Sequence, residues 1–321
     1  MGPGPATATI EQLGGTVTVD RQGPQGSVVE ISLDGTATTD ADLVQLTAFP
    51  NIRSLDLSAT QITDRGLETV GRLVRLESLM LNATAISGAG LAHLKPLSQL
   101  RRLSLDYVDL SRGGLEHLAN FRNLVVLSLH VAGITDAGLA ELRGMKGLEV
   151  LLLGGTDISD AGLESLEGLT NLRTLTIHMT PVTSAGLMHL QKIESLEALS
   201  FGGAHILDDG LAYLTGLPRL RTLHLGGGTF TGAALQHLSR FPRCESLDLS
   251  NNKLTDDDLA LLEPLTCLEN LDLRGTAITD AGLPALQKLR SLESLDVRGT
   301  SVSQAGAAAL RESLPLAIVE H

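Results

Sequence analysis

A pattern of 24 residues recurs twelve times along the chain without one insertion or deletion, and such a chain buries its apolar positions only by stacking each turn on the next. The turns open at Val28, Ile52, Leu76, Leu100, Leu124, Leu148, Leu172, Leu196, Leu220, Cys244, Leu268 and Leu292. Positions 4 and 6 are apolar in every copy, from Ile31 and Leu33 to Leu295 and Val297. Alternation at spacing two predicts a short strand with one buried face. Position 9 is usually Thr (Thr36, Thr60, Thr84, Thr156, Thr180, Thr276, Thr300) and once Asn252, placed to satisfy backbone groups inside the turn.

Position 12 is Ser or Thr in eleven turns, Leu207 being the exception, and Asp follows it in seven, as at Asp40, Asp64, Asp160 and Asp280. A hydroxyl N-cap followed by a carboxylate predicts the start of a helix. Apolar residues at positions 16 and 19, such as Leu67 and Val70, then share one inward face. Position 15 is small, nine times Gly, which lets neighbouring helices approach. Helices this short are marginal alone, so stacking must stabilise them.

These turns, reading L-x-x-L-x-L-x-x-T-x-I-T-D-x-G-L, resemble the leucine-rich-repeat superfamily, in the subclass found in F-box-type receptors and bacterial leucine-rich-repeat proteins. The resemblance runs from Val28 to about Pro315. It implies an α/β solenoid, a horseshoe of twelve 24-residue turns with a concave parallel sheet and helices on the convex side. The expected organisation is an N-terminal cap over residues 1–27, the solenoid over 28–315 and a C-terminal tail over 316–321. Within the first cap, Ile10 and Leu13 predict a short helix and Thr16 to Val19 a strand, which pairs with the first repeat strand across a turn at Gly23 to Gly26. Ala307 to Ala309 predict a longer closing helix.

Composition narrows the partners. With 43% hydrophobic but only 2% aromatic residues, the core is aliphatic, and a formal charge of −13 argues against nucleic acid and anionic membranes. Two cysteines, Cys244 and Cys267, make no disulfide framework. Neither a basic-then-apolar leader nor a run of about 18 apolar residues is present, which points to a cytoplasmic protein without a membrane span.

The sheet's outward positions, read as 3, 5, 7 and 8, divide into zones. The last three turns carry Asp248, Asp272 and Asp296 beside Arg274 and Arg298, which reads as a solvated surface. Between turns three and nine stand Met80, Tyr107, Val126, His130, Val131, Val150, Leu152, His178, Met179 and His224, an apolar, histidine-bearing stretch that is the candidate partner-binding face. Position 9 loses its Thr in the same region, at Val108, Ala132, Ala204 and Gly228.

Sharper chemistry fares less well. Asp106, Ser128 and His130 suggest a triad, but an open sheet supplies no oxyanion hole. His130 and His178 lack a third ligand, and His93, His117, His189 and His237 at position 18 have no acidic column beside them. No catalytic residue, metal or cofactor is therefore expected. The expected function is a protein or peptide interaction module. The resemblance also offers a substrate-recognition component of a ubiquitin-ligase-like or effector system, although the first 27 residues leave no space for an F-box domain. A concave-face enzyme or glycan binder is disfavoured by the missing enclosed site and the scarce aromatics.

Overall fold

The computed structural model describes residues 5–20 and 28–321. The expected turn at Gly23 to Gly26 lies outside them. Two compact units divide the chain, Met1–Asp157 and Ile158–His321.

In the first unit the helix Pro5–Gln12 buries Ile10 and leads into β1 (Thr16–Val19), which runs antiparallel to β2 (Val28–Ser32). Parallel strands then follow at the repeat period: β3 (Ser54–Asp56), β4 (Ser78–Met80), β5 (Arg102–Ser104), β6 (Val126–Ser128) and β7 (Val150–Leu152). Their register sets position 4 beside position 4, Leu55 on Leu79 and Leu103 on Leu127. In the second unit β8 (Thr174–Thr176), β9 (Ala198–Ser200), β10 (Thr222–His224), β11 (Ser246–Asp248), β12 (Asn270–Asp272) and β13 (Ser294–Asp296) pair in the same way. The segment read as a C-terminal tail contributes one more parallel strand, β14 (Ile318–Glu320), beside β13. It follows a closing helix, Gln304–Ser313.

Each turn fills its interior from positions 1, 4, 6, 16 and 19, and also from 11 and 22; Ile62 and Leu73, for example, are buried with Leu55, Leu57, Leu67 and Val70. Position 9 behaves as its residue type requires. Thr60, Thr84, Thr156, Thr180 and Thr276 are buried and donate their hydroxyls to the position-6 carbonyl at 2.6–2.7 Å. Asn252 serves two turns, donating to the Leu225 and Leu249 carbonyls, so it replaces the missing hydroxyl at Gly228.

The segments opposite the strands are short, and they wind as α-helix, as 3₁₀-helix or as one followed by the other. Asp64–Val70 is α-helical, whereas Asp42–Ala48, Gly88–Leu94, Leu115–Asn120, Asp208–Gly216 and Asp256–Leu262 are 3₁₀. A 3₁₀ helix rises about 2.0 Å per residue against about 1.5 Å, so a short segment crosses the turn with fewer residues.

The Asp after the cap does more than complement a helix end. Asp40 accepts from both the backbone N–H and the hydroxyl of Thr63 in the following turn, at 2.8 and 2.6 Å. Asp64 does so for Ser87, Asp160 for Thr183, Asp208 for Thr231, Asp256 for Thr279 and Asp280 for Ser303. Position-15 glycine has its reason here. A Cβ at Gly66, Gly90, Gly186, Gly282 or Gly306 would stand 2.2–2.6 Å from the carboxylate oxygen reaching across.

Candidate functional site

Strand pairing ends at position 5, and the chain turns through positions 7 and 8. Position 8 is left-handed in all twelve turns, with φ between 52° and 72°. In nine of these turns its backbone N–H is pinned to the position-7 carbonyl of the next, as from Tyr107 to His130 at 2.8 Å, Val131 to Gly154 at 2.9 Å and Met179 to Gly202 at 3.1 Å. Nine of the twelve residues here are Gly, Ala or Asn, the types that bear this conformation at least cost or present little bulk to it. Tyr107, Val131 and Met179 are the others, at φ 60°, 53° and 52°.

Those three side chains are also exposed, at 64%, 48% and 71%. They keep unfavourable backbone without burying the group that causes it, and such strain concentrates at functional positions. The Val131 and Met179 side chains lean toward the next turn: a Cβ at Gly155 would lie 3.0 Å from Val131 Cγ2, and one at Gly203 would lie 3.3 Å from Met179 Cγ.

In the first unit Tyr107 and Val131 occupy the same position in adjacent turns. On the strands beside them Val126 faces Val150 and Ser128 faces Leu152 across β6 and β7, with Val126, Val150 and Leu152 half-buried. Met80, half-buried, stands on β4 between Asp56 and Ser104. The sequence reading placed positions 7 and 8 on the strand face. Tyr107, Val131, His130, His178 and Met179 instead stand on the rim that follows the strands, because pairing stops two residues earlier.

The Ser–His–Asp grouping forms, in another role. Asp106 accepts from the Ser128 hydroxyl at 2.5 Å and from the His130 backbone N–H at 2.8 Å. Asn82 does the same for Ser104 and for the Asp106 backbone N–H one turn earlier. Ser128 is buried and its proton is committed to a carboxylate, so the arrangement is a turn-to-turn brace.

In the second unit His178, Met179, His224 and Asp248 surround an open depression of ≈ 360 Å³ floored by Gly202 and Gly226. Backbones and carboxylates crowd that floor. A Cβ at Gly202 would stand 2.3 Å from the Gly226 carbonyl, and one at Gly226 would stand 2.7 Å from Asp248 Oδ2. His224 Nδ1 lies 3.9 Å from Asp248 Oδ2. Burial pushes the Asp248 carboxyl up, but the bonds from His224 and Ser250 outweigh it and leave the carboxyl below its usual range. Among the described residues no cluster of three metal-ligating side chains occurs.

The other sequence expectations separate clearly. Of the vacant Thr positions, Val108 and Ala132 are fully buried, while Ala204 and Gly228 are half-buried, Gly228 beside Phe230, whose ring meets Phe201 edge-on at 6.2 Å. At Val108 and Ala132 an apolar side chain fills the space inside the turn, which says nothing of the outer face. Arg274 grips Asp272 and reaches Asp296 at 3.3 Å, while Arg298 joins Asp296 to Glu320 at 2.8 Å. His189 does have an acidic neighbour, Glu167 at 2.7 Å, which also holds Lys192. Both cysteines are free; Cys244 is buried, which raises its thiol to about 12, and Cys267 is exposed. The left-handed position 8 was missed in the sequence reading, although Gly or Asn at seven of its twelve copies signals it.

The model of the leucine-rich repeat region matches residues 31–283, and the chain belongs to that family. An internalin from Listeria monocytogenes superposes with a TM-score of 0.64 at 19% identity, over 98% of this chain and 92% of that one. A leucine-rich-repeat protein of Leptospira interrogans gives 0.60 at 20% identity, over 86% and 74%. These likenesses show the fold. No curated protein matches the sequence. Among the described residues no helix is long and apolar enough to cross a membrane.

Proposed function

We propose that this protein is a non-catalytic interaction module that holds a protein or peptide on the outward face of its strands and the rim beyond them. In the first unit the contact surface comprises Met80, Tyr107, Val126, His130, Val131, Val150 and Leu152; in the second it comprises His178, Met179 and His224. The observation that carries this reading is the placing of Tyr107, Val131 and Met179, large and exposed, on left-handed backbone that nine other turns give to Gly, Ala or Asn. A residue that costs stability and buries nothing is retained for an external contact. Rigid aromatic and apolar side chains of this kind anchor protein interfaces. The charge of −13 and the exposed carboxylates favour such a partner over a nucleic acid.

The test is affinity capture from native extract with wild type and with the triple variant Tyr107→Gly, Val131→Gly, Met179→Gly. Glycine suits the backbone at all three sites, so the variant folds, and any loss reflects the surface. A protein retained by wild type and lost from the variant supports the reading. Equal capture of the same proteins by both overturns it.

A further inference from the structure

At the other end of the strands in the second unit, just before β10 and β11, three arginines line a pocket of ≈ 430 Å³: Arg219, Arg240 and Arg243, with Thr215, Pro218 and Phe241 completing its wall. The pocket arises from a motif repeated at the 24-residue period, Leu217-Pro218-Arg219 and Phe241-Pro242-Arg243. Leu217 and Phe241 are buried and anchor the two copies, while the prolines and arginines face outward.

These three cations have no partner among the described residues, and they share one hollow. At position 21, Lys192 binds Glu167 and Lys288 binds Glu263, each carboxylate standing at position 20 of the preceding turn. Arg240 occupies position 21 of its own turn, and the residue at the matching position 20 is Thr215, whose hydroxyl is given to the Ala212 carbonyl. Position 24 tells the same story. Ser195 and Ser291 there donate to the Leu172 and Thr266 carbonyls, whereas Arg219 and Arg243 form no side-chain hydrogen bond or ion pair among the described residues. The nearest carboxylate in sequence, Glu245, is held by Arg221. A chain with 37 acidic residues against 24 basic ones has thus gathered three unmatched guanidinium groups around one hollow.

We infer that this pocket binds a compact oxyanion carried on a partner protein, a phosphorylated side chain or a pair of neighbouring carboxylates. Guanidinium forks on adjacent turns, whose strands are about 4.8 Å apart, stand near enough to share one such group, and a guanidinium binds it with charge-assisted, bidentate bonds. A protein carries the anion rather than a nucleic acid because Phe241 is buried, no other aromatic lines the hollow to stack a base, and the remaining surface repels a polyphosphate. This site shares no residue with the rim surface proposed above, so either can fail alone.

The experiment is fluorescence anisotropy with the full chain and four labelled probes: a nine-residue peptide centred on phosphoserine, its unphosphorylated form, the same peptide with a Glu-Glu pair in place of phosphoserine, and a 20-nucleotide single-stranded DNA. Wild type should bind the phosphoserine or the Glu-Glu peptide saturably, more weakly as salt rises, and the better of the two identifies the source of the anion. Arg240→Gln and the pair Arg219→Gln, Arg243→Gln should each weaken that binding about tenfold or more. Lys253→Gln, an exposed cation outside the pocket, should leave it unchanged. No saturable binding of either anionic peptide overturns the inference, as does an equal loss on Lys253→Gln, and DNA bound more tightly with the same arginine dependence would make nucleic acid the partner and overturn it too.

Discussion

Val131 sits on costly backbone, since a β-branched side chain at φ 53° clashes with its own backbone, and the side chain is 48% exposed. Replacing it by Gly, the residue of six turns at this position, is expected to raise stability by about 1 kcal/mol even though side-chain atoms are lost. Urea unfolding of Val131→Gly checks this, and a lower midpoint would mean the side chain packs as core. Gly282 makes the opposite case. A Cβ there would stand 2.6 Å from Asp256 Oδ1 and 2.8 Å from Leu259 Cδ1. Gly282→Ala should therefore cost about 1–3 kcal/mol through overpacking, although alanine is the better helix former. The two glycine positions differ in physical origin: conformation governs one and space the other.

Between neighbouring elements the same hydrogen bonds are obtained in two ways. Where position 13 is Asp, it reaches forward to the hydroxyl cap of the next turn and position 15 there is small. Between the ninth and tenth turns position 13 is Gly232, and Asp258 at position 15 supplies the carboxylate to Thr255 from within its own turn, at 2.8 and 2.9 Å. A Cβ at Gly232 would fall 1.8 Å from Asp258 Oδ1, so the two solutions exclude each other. Gly232→Asp alone and Asp258→Gly alone should each destabilise by about 1–2 kcal/mol, while the double variant should return close to wild type. Additive losses in this cycle would refute the exchange. The period, the strand register and the buried columns were legible in sequence because they follow from apolar spacing alone. The role of Asp40 or Asp280 was not, since its partner lies 23 residues on, and neither was the 3₁₀ winding, which depends on the space a turn leaves between its strand ends. Of the candidate site, the apolar residues were visible, but their division between strand and rim required the backbone.

Over the whole molecule, with 37 acidic residues and a charge of −13, acid is the condition that tests these bonds together. Asp280 is held below the usual carboxylate range first by the Ser303 hydroxyl and then by its backbone N–H, and Asp42 likewise by Thr39. Burial raises Asp248 and Asp296, but His224 with Ser250 and Arg298 with Arg274 more than offset it. A carboxyl whose pKa is lower folded than unfolded binds more protons in the unfolded chain. Its stabilisation is therefore full above the unfolded value of about 3.9 and is lost as pH falls through the lower folded value. Asp280 is exposed and the other three are half-buried, and solvent screening keeps each share small. The shares of these four carboxyls add. Thermal melting should change little between pH 7 and about 5, then fall steeply below about pH 4. Asp280→Asn, which has no charge to lose there, should melt lower than wild type at pH 7 and show a smaller decline between pH 5 and 3. A decline equal to that of wild type would remove Asp280 from the acid response and leave the ion pairs of Asp248 and Asp296 to account for it.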